Sequence, residues 1–160
     1  ELVSQIRRSG VRVFVMDKYE SLAEAYANLR ALARELGPAA ETKAEAIITD
    51  CERRVAALRE KLHGVRAIRV IAPSTYGVIG GTPPPNEQML TWPIERVVLS
   101  GEDRDSALAP FLKLPPYQFM SAIRERRIAL LKPWHISSVS HHRVAAYEQL
   151  ARELHPELFK

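Results

Sequence analysis

The chain has 160 residues, 46% of them hydrophobic and 26% charged, with a formal net charge of +4. That length holds one well-buried domain, or one domain and part of another, and no apolar run approaches the roughly eighteen residues that a membrane-spanning helix needs. The basic residues alternate with glutamates along helical stretches and come without an aromatic ladder or zinc-ligand spacing, which argues against a nucleic-acid partner.

In chain order, Leu2 and Ile6 mark a short helix, Ser9-Gly10 a turn, and residues 11–16 an apolar strand. Leu22, Tyr26, Leu29, Leu32 and Leu36 then recur every three to four residues, the stripe of an amphipathic helix. Gly37-Pro38 stops it, because glycine suits the left-handed cap and proline cannot continue the ladder. In the next helix Ala44, Ile48, Cys51, Val55, Leu58 and Leu62 form one narrow seam, while Glu52, Arg53, Arg54, Arg59, Glu60 and Lys61 occupy the other faces. A helix polar everywhere outside one seam lies on a domain surface, or between domains, with much of its girth wet. The run is too short to favour a coiled coil. Residues 65–72 return to strand. A parallel crossover within one sheet needs about a dozen residues, whereas about forty helical residues separate these two strands. A twenty-residue helix carries the chain about 30 Å, which places the second strand in a different lobe from the first.

The loop at 74–85 holds Gly77, Gly80, Gly81 and three prolines, and Asn86 is placed to cap a short helix over 87–92. Residues 95–100 read as a third strand, 101–105 as a loop, 106–112 as a helix, Pro115-Pro116 as a break and 118–126 as a helix. A fourth strand follows at 127–132, then a loop at 133–140 and a closing helix on Val144, Ala145, Leu150, Ala151 and Leu154. Strands alternating with helices define an α/β layer with a mostly parallel sheet flanked by helices.

Few residues carry chemistry. Cys51, the single cysteine, cannot form an internal disulfide, and its phase with Ile48 and Val55 makes it a small core residue. The glycine loop matches neither G-x-G-x-x-G nor a Walker pattern, and prolines stand where a helix amino terminus would open on a phosphate. It reads as a ligand-facing turn or as a plain surface loop. His135, His141 and His142 lack metal-site spacing, since adjacent helical residues point about 100° apart. Glu102, Asp103 and Asp105 read as helix caps. With no G-x-S-x-G elbow, no catalytic residue, metal site or cofactor is indicated. Trp134 follows the fourth strand, and Tyr76 follows the strand at 65–72, at the ends where ligands gather in open α/β sheets. On adjacent-strand loops these aromatics form one wall of an apolar cleft for a large flat ligand, or else plug the top of the sheet.

Four stretches, residues 2–17, 19–37, 44–64 and 145–159, together resemble the helical-backbone class (class III) of periplasmic substrate-binding proteins, which serve ABC importers for iron-siderophores, haem or cobalamin. The resemblance implies a two-lobed clamp joined by a rigid helix. Residues 1–18 would be the remnant of an amino-terminal lobe, 19–64 the connecting helices and 65–160 the carboxyl-terminal α/β lobe. The family's amino-terminal lobe is not found before Glu1, and a family segment bearing a permease-docking glutamate is not found between Trp92 and Pro93, as in a truncated or deleted variant or in a sequence from which those residues are left out. By position, Ser74, Thr75, Tyr76, Gly80, Trp134, His135 and Ser137 would face the ligand. Trp134 falls where cobalamin-binding members carry a tryptophan, but Pro133 and Ser137 replace their acidic and arginine neighbours, which weakens cobalamin as the ligand. The implied partners are a metal chelate or tetrapyrrole and an ABC permease. The implied location is periplasmic or extracellular, free or lipid-anchored, with no enzymatic activity. The alternative is a stand-alone interaction module that forms a homodimer, or binds another protein, through its exposed long helix.

Overall fold

Ser21 and Glu24 open the first long helix reciprocally. In the computed structural model, which describes residues 2–16, 19–74, 77–78 and 88–160, the Glu24 backbone N–H donates to the Ser21 hydroxyl at 3.3 Å, and the Ser21 N–H donates to the Glu24 carboxylate at 2.8 Å. Two donors that a helix start would leave unpaired are thereby satisfied. The chain divides into two units, one of Glu1–Arg54 with Val139–His141 and one of Val55–Ser138 with His142–Lys160.

In the first unit α1 (Leu2–Arg8) ends at a turn, and residues 11–16 follow without regular structure. The strand expected there is not formed. A strand exists only by exchanging hydrogen bonds with a neighbour, and among the described residues no strand pairs with this run. Its apolar side chains Val11, Phe14, Val15 and Met16 are exposed. Helix α2 (Leu22–Leu36) forms as expected, yet its most buried residues are Ala25, Tyr26, Asn28 and Ala33, and Leu36 is exposed. The buried stripe is thus rotated toward the small side chains. Burial raises the Tyr26 phenol, with the Cys51 thiol and the Glu52 carboxylate acting in the same direction.

Gly37, at φ 98°, turns the chain directly into α3 (Pro38–Lys61), several residues earlier than the apolar seam suggests. Proline is tolerated as the first helical residue because its missing N–H would be unpaired there anyway. Arg30 of α2 forks both carboxylate oxygens of Glu45 on α3, at 2.7 and 2.9 Å. Ala44, Ile48 and Cys51 of the seam are buried. The Cys51 thiol lies 3.8 Å from the His141 carbonyl oxygen, the core placement its phase indicates.

The second unit takes in the end of α3, with Val55, Leu58 and Leu62 half-buried. Its sheet has three parallel strands in the order β1 (Val70–Ile71), β4 (Arg96–Ser100), β5 (Ile128–Leu131), with Val70 opposite Arg96 and Val97 opposite Ile128. Between β1 and β4 lies a two-residue antiparallel ladder of β2 (Pro73–Ser74) and β3 (Gly77–Val78). The strand expected over 65–72 contracts to two residues, since β4 offers partners only from Arg96 onward. Ile71, Val97, Leu99 and Ile128 meet Met89, Leu108, Tyr117, Met120 and Ile123 in one core. Val98, Ala129 and Leu131 meet Ile136, Leu150 and Leu154 in a second. This alternation, buried on both faces, is why β4 and β5 read as unbroken apolar runs.

Helix α4 (Arg104–Leu108) starts two residues early because the Asp103 carboxylate accepts the Ser106 N–H at 2.8 Å. The helix expected over 118–126 splits into a 3₁₀ turn, Tyr117–Phe119, and α5 (Ser121–Arg124), with Met120 extended between them at φ −71°, ψ 129°. The expected cap Asn86 lies outside the described residues, and Gln88–Thr91 is a 3₁₀ turn. The loop expected at 133–140 contains a helical turn, α6 (Pro133–Ile136), started by proline. The chain closes with α7 (Arg143–Leu154) and a 3₁₀ turn whose Phe159 ring lies 4.6 Å from Lys61 Nζ and 5.1 Å from Arg152 Cζ.

Two features of this unit lead to measurements. A Cβ on Gly101 would stand 2.9 Å from the Ala107 Cβ, so Gly101→Ala should destabilise the protein by about 1–3 kcal/mol, read as a lower urea midpoint. Glu95 accepts from both Arg66 amino groups and from the Arg69 backbone N–H. Chiefly through Arg66 and then Arg69, its carboxyl is lowered from 4.5 to about 2. A depressed folded value stabilises fully above the unfolded one, and that stabilisation is lost as pH falls from 4.5 toward 2. Circular-dichroism melts should therefore show a steeper acid decline of Tm in the native protein than in Glu95→Gln, and parallel curves would refute the linkage.

Candidate functional site

In a parallel sheet every strand delivers its following loop to the same edge. Here β1 leads to Pro73, β4 to Gly101 and β5 to Lys132. Ligands of open α/β sheets bind outside this carboxyl edge. Pro133 locks the backbone for a helix start, and α6 carries Trp134, His135 and Ser137 at or next to its single turn.

Trp134 is 54% exposed. The Lys132 ammonium sits 5.1 Å from its ring centroid, and the His135 imidazole meets it edge-on with centroids 6.0 Å apart. A cation at that range adds about 0.5–1 kcal/mol at an exposed site. His135 is half-buried, with Nδ1 hydrogen-bonded to Gln149 Oε1. Gln149 Nε2 donates to the Leu130 carbonyl at 3.0 Å, which fixes the amide's orientation and leaves Oε1 as acceptor. His135 Nδ1 is then the donor, and in the neutral ring the lone pair falls on Nε2. Ser137 is exposed, its hydroxyl donating to the Pro133 carbonyl at 3.0 Å.

Of the other expected contacts, Ser74 lies on β2, in register with Gly77 of β3. Thr75, Tyr76 and Gly80 lie outside the described residues. One expectation is corrected by topology. The strands preceding Tyr76 and Trp134 are not neighbours, because β4 runs between β1 and β5. At about 4.8 Å per strand their loops leave the sheet roughly 10 Å apart, with the turn at Ser100-Gly101 between them. The sheet therefore separates the two loops by one strand instead of setting them side by side.

The residues that position this edge had not been singled out. The Lys132 N–H donates to Gln149 Oε1 at 3.4 Å, and the Leu130 N–H donates to the Glu153 carboxylate at 3.1 Å. Arg104 donates to the Ile128 carbonyl at 3.1 Å and to Glu153. The signal was available, since Gln149 and Glu153 are four apart and hence on one face of the last helix. Among the described residues no group of three or more His, Cys, Asp or Glu is placed to hold a metal, and no helix is long and apolar enough to cross a membrane.

No family model and no curated protein sequence matches the chain. Solved structures do. A periplasmic heme-binding protein from a Roseiflexus species superimposes with a TM-score of 0.79 at 18% identity, over 98% of this chain and 71% of that one. A periplasmic heme-binding protein from Pseudomonas aeruginosa gives 0.72 at 19% identity, over 97% and 67%. An ABC-type Fe3+-hydroxamate transport protein from Saccharomonospora viridis gives 0.69 at 14% identity, over 93% and 63%, so this chain spans less than two thirds of its length. At such identities the likeness establishes the fold. It is the α/β architecture of the helical-backbone periplasmic binding proteins, as the sequence resemblance implies.

Gln149 is the joint of the site. Gln149→Leu keeps the bulk and removes three hydrogen bonds, so it should cost about 2–3 kcal/mol at roughly 1 kcal/mol each. Urea denaturation measures the loss, and a change under 0.5 kcal/mol would show that water replaces the amide.

Proposed function

We propose that the chain is the carboxyl-terminal lobe and connecting helices of a substrate-binding component of an ABC importer. It captures a metal chelate or tetrapyrrole and presents it to a permease. The observation that carries the proposal is the superposition of nearly the whole chain on periplasmic binding proteins, two of them heme-binding and one from an Fe3+-hydroxamate transport system. In this reading residues 1–18 belong to an amino-terminal lobe, 19–64 connect, and 65–160 form the ligand-bearing lobe of a periplasmic or extracellular protein. No catalytic step is assigned to it.

The exposed indole of Trp134 offers stacking surface to a flat or apolar ligand. His135 offers an acceptor at Nε2 and Ser137 a hydroxyl, Ser74 lies on β2 just after β1, and the family resemblance adds Thr75, Tyr76 and Gly80 to the ligand contacts. Haem and siderophores suit this edge better than cobalamin, given Pro133 and Ser137 at the positions where the cobalamin-binding members place charged side chains.

The test is tryptophan fluorescence of a Trp92→Phe protein, in which Trp134 is the remaining indole. It is titrated with haemin, a ferric hydroxamate siderophore and cobalamin. Saturable quenching by one of them, weakened about tenfold by His135→Ala, is expected. A flat response to all three, together with concentration-dependent dimerisation on a sizing column, would replace the proposal with the interaction-module reading.

A further inference from the structure

The amino-terminal edge of the sheet in the second unit differs in chemistry from the edge that carries Trp134. Arg66, Arg96 and Arg127 stand at or just ahead of the three parallel strands, so the register brings them to one edge. Together with Glu95 and the apolar Ile68 and Ile94 they line a recess of about 400 Å³.

The single carboxylate of the recess is fully committed. Both Glu95 oxygens are held by Arg66, and one of them also accepts the Arg69 N–H. One guanidinium group, that of Arg96, remains in excess, and a second, that of Arg127, is satisfied only in part. Arg96 is half-buried, and its side chain makes no hydrogen bond or ion pair with any described residue. Arg127 uses its two amino groups on Glu125, at 2.8 Å, and on the Ser121 hydroxyl, at 3.1 Å. Its Nε is buried with no acceptor among the described residues. A buried donor without an acceptor costs about 1–3 kcal/mol, more when charged. Guanidinium groups match the oxygens of phosphates and carboxylates in shape and charge.

We propose that this recess binds a small, multiply charged oxyanion, of the diphosphate or tricarboxylate class. Arg96 supplies the unpaired charge, Arg127 the buried Nε–H, and Ile68 and Ile94 an apolar wall that keeps the local dielectric low. Arg66 and Glu95 form the floor by neutralising each other. The site stands apart from the Trp134 edge, and the haemin titration does not bear on it.

Isothermal titration calorimetry of the whole chain in 0.15 M NaCl, with pyrophosphate and separately with citrate, tests it. At that salt exposed charges are screened beyond about 8 Å, so scattered surface arginines should give no saturable heat. Saturable binding of either probe is expected, weakened about tenfold by Arg96→Gln and by Arg127→Lys, which keeps the charge and removes the Nε–H. Arg59→Gln, an exposed arginine on α3, should leave it unchanged. Absence of saturable heat with both probes, or an equal loss in Arg59→Gln, overturns the proposal. If circular dichroism shows Arg96→Gln unfolded, Arg127→Lys decides.

Discussion

The second unit depends on how the outer edge of β5 is closed. Its strands are two to five residues long, too short for ladder hydrogen bonds alone to hold them together. Residues 127, 129 and 131 of that strand face β4, as the bonds from Val97 N to Arg127 O and from Gly101 N to Leu131 O show. The alternate residues present their backbone groups outward, where an edge strand ordinarily offers them to water or to another chain. Here they are met by side chains. Arg104 takes the Ile128 carbonyl, Glu153 the Leu130 N–H, and Gln149 the Leu130 carbonyl and the Lys132 N–H. Helix α7 thus stands in for a fourth strand, with a side-chain amide reading two successive outward residues as a backbone would. Each bond is worth only about 1 kcal/mol net, but leaving any of those groups buried and unpaired costs more. The arrangement is stabilising chiefly because it avoids that penalty.

The same contacts carry over to the edge that holds the candidate site. Gln149 holds β5 and also orients the His135 ring, one residue past Trp134. Strand end, helical turn and indole are therefore registered by one side chain, and Lys132, whose N–H is held by that amide, carries the ammonium that lies over the Trp134 ring. The geometry of the candidate site follows from the closure of the sheet.

How much of this could be read from the residues divides along a physical line. Segments whose signal is local were legible. The four-and-three spacing from Ala44 to Leu62 and the glycine-proline stop at 37–38 became what they indicated, and the apolar runs expected as strands over 95–100 and 127–132 formed strands at 96–100 and 128–131. Segments whose state depends on a partner were not. Residues 11–16 and 65–69 are apolar enough to read as strands, yet a strand is a relation between two segments, and among the described residues only Val70–Ile71 finds a neighbour. Helix α6 was missed because a single turn has no period to detect. Trp134 and His135 were legible as chemistry, but their supports, Gln149 and Glu153, looked like any solvated helix face. Their role appears only when α7 is laid beside β5.

The two edges of the sheet show what a parallel arrangement does to the distribution of side chains. Parallel strands gather all their starts on one side and all their ends on the other, so residues far apart in sequence share an edge without any local motif. The starting edge collects Arg66, Arg96 and Arg127 around one carboxylate that is held ionised well below its ordinary range. The finishing edge collects an exposed indole, an imidazole of defined tautomer and the short β2–β3 ladder. Charge dominates the first, aromatic surface the second. That contrast is absent from composition, since arginine is spread along the whole chain. It arises when strand direction sorts residues by their place at the beginning or the end of a strand, and the separation lets one small sheet offer two chemically unlike edges.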